Sequence, residues 1–209
     1  IAFFDGDDES HIDRITKQYK RFLEYKIINP NSKVFVYLNR NVILVDANVT
    51  KQVLNFMHQQ KMHFPEHDWR GQYDVIPANA NETKYLRFGI GRMSPEPYGK
   101  ILADKILVNR IKNDKFYWGS FGAGTLFTKV SYIKDLNGYD ENFGRHDDTD
   151  LVIRAAIEGY RFISVNETLM TQYITRGVHK ILTTQEILSA QKQLIKKHHK
   201  YLKERFLYI

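Results

Sequence analysis

The chain has 209 residues, 43% of them hydrophobic and 13% aromatic, which is enough for one packed domain and too apolar for a disordered one. No apolar run reaches the roughly 20 residues needed to cross a bilayer, and the absence of cysteine excludes disulfides, thiolate metal sites and cysteine nucleophiles. The net charge of +7 gathers at the C-terminal end, where residues 185–209 hold six Lys or Arg against two Glu; with no nucleic-acid-binding motif, this reads as a solvated helix face or a contact with anionic lipid.

In chain order, IAFF is expected to be a strand that runs into the acidic loop DGDDE. Aligned carboxylates at a strand end repel one another unless a cation lies between them, and a divalent metal is the usual solution. A chain that starts at Ile1, inside such a run and without an initiator Met, is expected to be a piece of a longer polypeptide. Ser10 and Asp13 fit a capping box, and the following periodicity predicts a helix with Ile15, Tyr19, Phe22, Leu23 and Ile27 on its apolar face.

VFVY and NVILV, separated by Leu38-Asn39-Arg40, read as two short strands or a hairpin, and NVTKQVLNFMHQQ as a helix capped by Asn48. Residues 61–98 lack sustained periodicity and read as a long, partly irregular surface segment, in which Trp69, Tyr73, Tyr85 and Tyr98 are candidates to stack on sugar rings. A helix is expected from about Gly99 to Asn113. Then come the Gly-punctuated apolar run FYWGSFGAGTLFTKV, a helix over VSYIKDL and the turn NGYDENFG.

HDDTDLVIRAAIEGYRF predicts a helix with Asp147, Asp148 and Asp150 in its first turn, Leu151, Ala155 and Ile157 towards the core, and Gly159 as its stop. Negative charge at a helix N-terminus is favourable in itself, by about 0.3–1 kcal/mol, so helix stability alone accounts for such a cluster. The dipole is also expected to keep Asp148 ionised. The last element, from about Thr184 to Leu207, reads as one amphipathic helix with Leu188, Leu194, Ile195, Tyr201 and Leu202 on its apolar side.

The element order gives an α/β protein. An apolar strand that ends in carboxylates presents them at the carboxyl edge of a sheet, where open α/β sheets take their ligands, and hard oxygens there suit Mg2+ or Mn2+ with a diphosphate. FFDGDDESHIDRITKQ resembles the D-x-D segment of family 2 glycosyltransferases of the GT-A fold, in which an apolar strand, D-x-D-D and an H-x-D-R helix start occur together. WGSFGAGTLFTKVSYIKDLNGYDENFGRHDDTDLVIRAAIEGYRF is similar to their second half, with its strand-to-helix step, N-G-Y-D-E turn and E-D-x-D-L helix. The two blocks cover roughly a third of the chain, in the expected order.

The resemblance implies a GT-A-like mixed sheet flanked by helices, in an incomplete domain that lacks the first nucleotide-binding strands. Residues 1–183 would then be the metal- and acceptor-binding part, and residues 184–209 a basic C-terminal helix. It implies Asp5 and Asp7 as the D-x-D pair, with Asp7 the direct metal ligand, Asp5 nearer the donor and Asp8 assisting. Asp148 aligns with the general base; Asp147 stands where the family usually has Glu, which leaves either as the base. Arg176 and Lys180 are implied on the donor side, His179 as a metal ligand, and Trp118, Gly122 and Gly124 on the acceptor side. The expected activity is inverting transfer of a sugar from a nucleotide-sugar donor, UDP-linked, to a glycan or other hydroxyl acceptor, with Mn2+ or Mg2+. A bacterial surface polysaccharide and a cytoplasmic enzyme, in peripheral contact with the membrane through the C-terminal helix, fit the family's range; no nucleic-acid partner is expected.

FFDGDD also resembles the opening of haloacid-dehalogenase-type phosphatases, although Glu9-Ser10 replaces the usual continuation. A non-catalytic carbohydrate- or partner-binding fragment is the remaining alternative.

Overall fold

The computed structural model describes residues 1–6, 8–44, 76–79, 82–87, 89–91, 96–108, 121–143, 146–174 and 184–206. It is a mixed α/β structure. Five strands, β1 (Glu9–Ser10), β2 (Val34–Leu44), β3 (Ile76–Asn79), β4 (Glu82–Arg87) and β5 (Arg161–Ile174), form one sheet in the order β1-β5-β2-β4-β3. Its centre is the parallel pair β2 and β5; the other pairings are antiparallel.

The central pair follows from composition. Val34, Phe35, Val36, Tyr37 and Leu38 on β2 and Phe162 and Ile163 on β5 are buried in near-continuous runs, as strands covered on both faces require. Phe35 stacks on Phe162 with ring centroids 5.5 Å apart. The helices among the described residues are α1 (Arg14–Ile28), α2 (Gly99–Val108), α3 (Val130–Asp135), α4 (Asp147–Ile157), α5 (Thr184–Lys197) and α6 (His199–Phe206), with a 3-10 turn at Ala123–Thr125. Among the described residues no helix is long and apolar enough to cross a membrane.

Several elements differ from expectation. IAFF is not a full strand: Ala2 makes an isolated antiparallel bridge to Phe127, which itself bridges Val36. Leu126–Thr128 therefore lies between residues 1–3 and the first half of β2. VFVY and NVILV are one strand, not a hairpin. Leu38-Asn39-Arg40 is a register irregularity within β2 where the pairing with β5 shifts, and Asn39 Oδ1 accepts a hydrogen bond from the Gly89 amide at 2.8 Å. The stretch read as irregular contains the β3–β4 hairpin. The helix expected at residues 48–60 lies outside the described residues, as do 109–113 at the end of α2.

Ser10 does not cap α1, because its backbone is paired with Met170 in β1; Asp13 is the N-cap residue and makes no side-chain cap bond. The buried side of α1 consists of Arg14, Gln18, Phe22 and Tyr25, while Ile15, Tyr19 and Leu23 are exposed and Ile27 is 81% exposed. Polar anchoring rotates the helix away from its most apolar face. Gln18 Nε2 donates to Val36 O at 3.2 Å and Thr125 O at 2.9 Å, and Arg14 Nη2 donates to Phe3 O at 2.9 Å and Gly124 O at 2.5 Å.

The C-terminal helix is divided at His198 into α5 and α6, and its inward side is Leu194, His198 and Tyr201, with Leu188 and Ile195 exposed. Its basic side chains hold the body of the protein: Lys197 Nζ is 2.5 Å from Asp140 and 2.8 Å from Asp150, and Arg205 Nε is 3.0 Å from Asp104. Leu151 and Ala155 of α4 are buried and Ile157 partly so, as expected. The helix stops at Gly159 (φ +80°), with Tyr160 N bonded to Ala155 O and Gly159 N to Ala156 O, the paired closure that favours glycine.

Candidate functional site

The pairing of residues 1–3 with 126–128 sets the position of the acidic loop. Ile1 N and O bond to Thr128, and Phe3 N bonds to Leu126 O at 3.4 Å. Two residues further in this register bring Asp5 opposite Gly124. A Cβ on Gly124 would lie 3.3 Å from Asp5 Oδ2, 3.7 Å from Asp8 Oδ2 and 2.9 Å from Met170 Cε, so the absent side chain leaves room for two converging carboxylates. Gly122 has a similar relation to a cation: its Cβ would lie 3.1 Å from Arg40 Nη1. Arg40 is buried at the β2 irregularity and pairs in register with Met170, so this irregularity delivers a guanidinium to the same neighbourhood.

Asp8 is buried and its Oδ1 accepts from the Tyr173 amide at 3.3 Å. Beneath the loop is Arg14, the arginine of H-x-D-R, 1% exposed. Burial pulls the Arg14 pKa down, against the opposing pull of the Asp8 and Asp5 carboxylates. Arg14 thus supplies a fixed positive charge under the acidic loop.

The second acidic segment opens α4. His146 is its N-cap residue in the left-handed region (φ +67°), and Asp147, Asp148 and Asp150 occupy the first turn. These three aspartates have different environments. Asp150, fully buried, is bonded at 2.8 Å to each of Arg154 Nε, Lys197 Nζ and His198 Nε2. Burial opposes its ionisation, but His198, Lys197 and Arg154 outweigh burial and hold its carboxyl below the usual range. It is a structural node.

Asp148 Oδ1 accepts from the Thr149 amide at 2.6 Å and the Thr149 hydroxyl at 3.3 Å. Burial raises its pKa and Asp147 adds to the rise, against the Thr149 bonds and His146. The net direction is upward: desolvation outweighs the bonds that favour the charged form, and the carboxylate is a stronger base than an exposed one.

Tyr139 joins the two segments. Its ring meets Phe3 edge-on at 5.2 Å, beside the extended segment that carries Asp5. Burial raises its pKa first, followed by the Asp148, Asp147 and Asp5 carboxylates, so this phenol senses both acidic segments and stays protonated. Tyr37, fully buried on β2, is raised by burial and then by Tyr139 and Asp148. The turn that carries Tyr139 is clamped: Arg154 donates to Leu136 O and to Gly138 O at 2.7 Å, and Lys197 pairs with Asp140.

Asp5, Asp8, Asp147, Asp148, Gly122 and Gly124 are therefore brought into one region. Asp7, Trp118, Arg176, His179 and Lys180 lie outside the described residues. Trp69, Tyr73 and the Tyr85 side chain also lie outside them, and the Tyr98 ring is covered by the Arg161 guanidinium at 3.2 Å from its centroid. Sequence reasoning missed Arg14, Arg40, Tyr139 and His146; the H-x-D-R and N-G-Y-D-E motifs were the available signals for Arg14 and Tyr139.

Among the described residues no group of three or more His, Cys, Asp or Glu side chains is placed to hold a metal ion. Two carboxylates at Gly124 nevertheless have the donor chemistry for Mg2+ or Mn2+, which are commonly held by one or two carboxylates with substrate phosphate completing the shell. Compared with protein-family models and with curated proteins, the chain finds no match in either.

Proposed function

We propose that this chain is the metal- and acceptor-binding portion of a GT-A-type glycosyltransferase resembling family 2, which transfers a sugar with inversion from a UDP-linked donor to a hydroxyl acceptor. The observation that carries the reading is that Tyr139 packs edge-on against Phe3, two residues before Asp5, while its hydroxyl, whose pKa burial raises first, also feels Asp5 from one acidic segment and Asp147 and Asp148 from another, more than 130 residues later. An inverting transfer needs this division: one carboxylate beside the attacking hydroxyl and one acidic site at the leaving diphosphate.

Asp148 is the proposed base. Thr149 fixes its Oδ1, and burial makes it a better proton acceptor. The acceptor oxygen forms the new bond to the anomeric carbon as its proton passes to Asp148, while the bond from that carbon to the diphosphate breaks and its electron pair leaves with the diphosphate oxygen. Asp5, Asp8 and, by resemblance, Asp7 and His179 would hold Mg2+ or Mn2+, which when bound opposes the charge gathering on the diphosphate. Arg14 opposes the mutual repulsion of the loop carboxylates. A cytoplasmic location, where nucleotide sugars are available, follows from this reading.

One observation favours a second reading. Arg14 already provides counter-charge beneath Asp5 and Asp8, so the loop does not need a metal to be stable, as in a carbohydrate-binding fragment without turnover. Calorimetry on the complete protein separates the two. Under the transferase reading a UDP-sugar binds only with Mn2+, and Asp7→Asn abolishes that binding without unfolding the protein; Mn2+-independent binding, or unchanged affinity in Asp7→Asn, contradicts it.

A further inference from the structure

Two polar atoms around Asp148 are buried and have no hydrogen-bond partner: the Tyr139 hydroxyl and His146 Nε2. Such atoms are rare in folded proteins, and each calls for a partner such as a water, an ion or a ligand group. Their positions are not accidental products of loose packing. The Tyr139 turn is held by Arg154 and Lys197, and His146 is fixed at the head of α4 in a left-handed conformation, where Asp150 N bonds to its carbonyl at 2.8 Å.

Their hydrogen-bonding roles are complementary. The Tyr139 hydroxyl faces the influence of three carboxylates and keeps its proton, so it is a donor. Thr149 Oγ1 gives its one proton to Asp148 Oδ1 at 3.3 Å, and His146 Nδ1 lies 3.4 Å from the same hydroxyl. In the neutral tautomer with its proton on Nδ1, the imidazole satisfies that contact and offers Nε2 as an acceptor. A sugar hydroxyl both donates and accepts, and this pair offers it one of each. A phosphate or carboxylate would find an acceptor nitrogen and several carboxylates, and would be repelled.

We propose that Tyr139 and His146 are specificity-determining residues that bind neutral hydroxyls of a polyhydroxylated acceptor, holding it so that the neighbouring hydroxyl meets Asp148. The inference rests on the transferase reading and assigns the acceptor's chemical class: an uncharged glycosyl unit at the reacting end.

The test uses the complete protein with Mn2+, a panel of UDP-glucose, UDP-galactose and UDP-N-acetylglucosamine, and uncharged p-nitrophenyl glycosides as acceptors. Tyr139→Phe removes the donor alone, and His146→Asn removes Nε2 while keeping a residue that tolerates the left-handed backbone. Each variant is expected to raise the acceptor KM at least tenfold, to leave the donor KM within twofold, and to melt no lower than the unsubstituted protein. A drop in melting temperature with an unchanged acceptor KM overturns the proposal, since the groups would then be structural. If Asp148→Asn is inactive while both variants transfer normally, the subsite fails and the transferase reading stands. If Asp148→Asn transfers normally, or the unsubstituted protein uses no donor of the panel, both fail.

Discussion

Substituting Asp150 by Asn tests how α4 is held. The carboxylate is fully buried and takes three bonds of 2.8 Å, from Arg154, Lys197 and His198. Removing one partner of a buried ion pair costs about 3–5 kcal/mol, because the other charge is left uncompensated. Two of these partners keep other acceptors: Lys197 still has Asp140, and Arg154 still has the Leu136 and Gly138 carbonyls. Asparagine keeps one oxygen and replaces the other with an NH2 group, which then faces either His198, 7% exposed, or the two cations that donate to Asp150 Oδ2. The expected loss is therefore at the lower end, about 3 kcal/mol, or roughly 6–12 °C in melting temperature for a protein of this size. Urea unfolding should show it as a lower midpoint with unchanged slope. The sign with pH is fixed: a carboxylate depressed in the folded state stabilises above the ordinary carboxylate range, and that contribution disappears as pH falls through the folded value. The difference between the two proteins should accordingly shrink in acid. A loss below about 1 kcal/mol at neutral pH would refute the view that this node anchors the C-terminal helix to α4.

Other perturbations give further expected outcomes. Because burial raises the Asp148 pKa, the folded state binds this proton more tightly than the unfolded chain, so stability falls as pH rises from the ordinary carboxylate range through the raised value; Asp148→Asn should be at least as stable at neutral pH, by thermal melting. Gly124→Ala adds a Cβ 2.9 Å from the flexible end of Met170 and 3.3 Å from Asp5 Oδ2. It should cost only about 1 kcal/mol, since the methionine end can move, yet weaken Mn2+-dependent donor binding measured by calorimetry.

Elements whose burial follows from their own apolar pattern were legible in the sequence. The α4 helix, its aspartates and its Gly159 stop are local features, whereas β5, half of the parallel core, was not identified from the sequence. The face of α1 was not legible, because Arg14 and Gln18 are buried by carbonyls of Phe3, Val36, Gly124 and Thr125, most of them distant in sequence. Leu38-Asn39-Arg40 has turn-like residues, and its pairing with β5 and β4 and the bond from the Gly89 amide keep it in a strand. Similarly, Asp150 matches its neighbours in type, but His198 and Lys197, nearly 50 residues later, make it structural. The acidic segments could be named in advance, whereas the residues that tune them depend on tertiary contacts.

The central claim is that HDDTD contains the base of a sugar transfer, and the most direct measurement compares turnover of the complete protein with its Asp148→Asn and Asp147→Asn variants. A positioned base contributes about 10²–10⁴-fold. Asp148→Asn should lose transfer by that factor with donor and Mn2+ affinity nearly unchanged, since the isosteric amide cannot take the acceptor proton. Asp147→Asn should retain most of its activity. Loss confined to Asp147→Asn would transfer the role to the neighbouring carboxylate, and normal transfer by both variants would contradict the account, leaving the cluster as a helix start and nothing more.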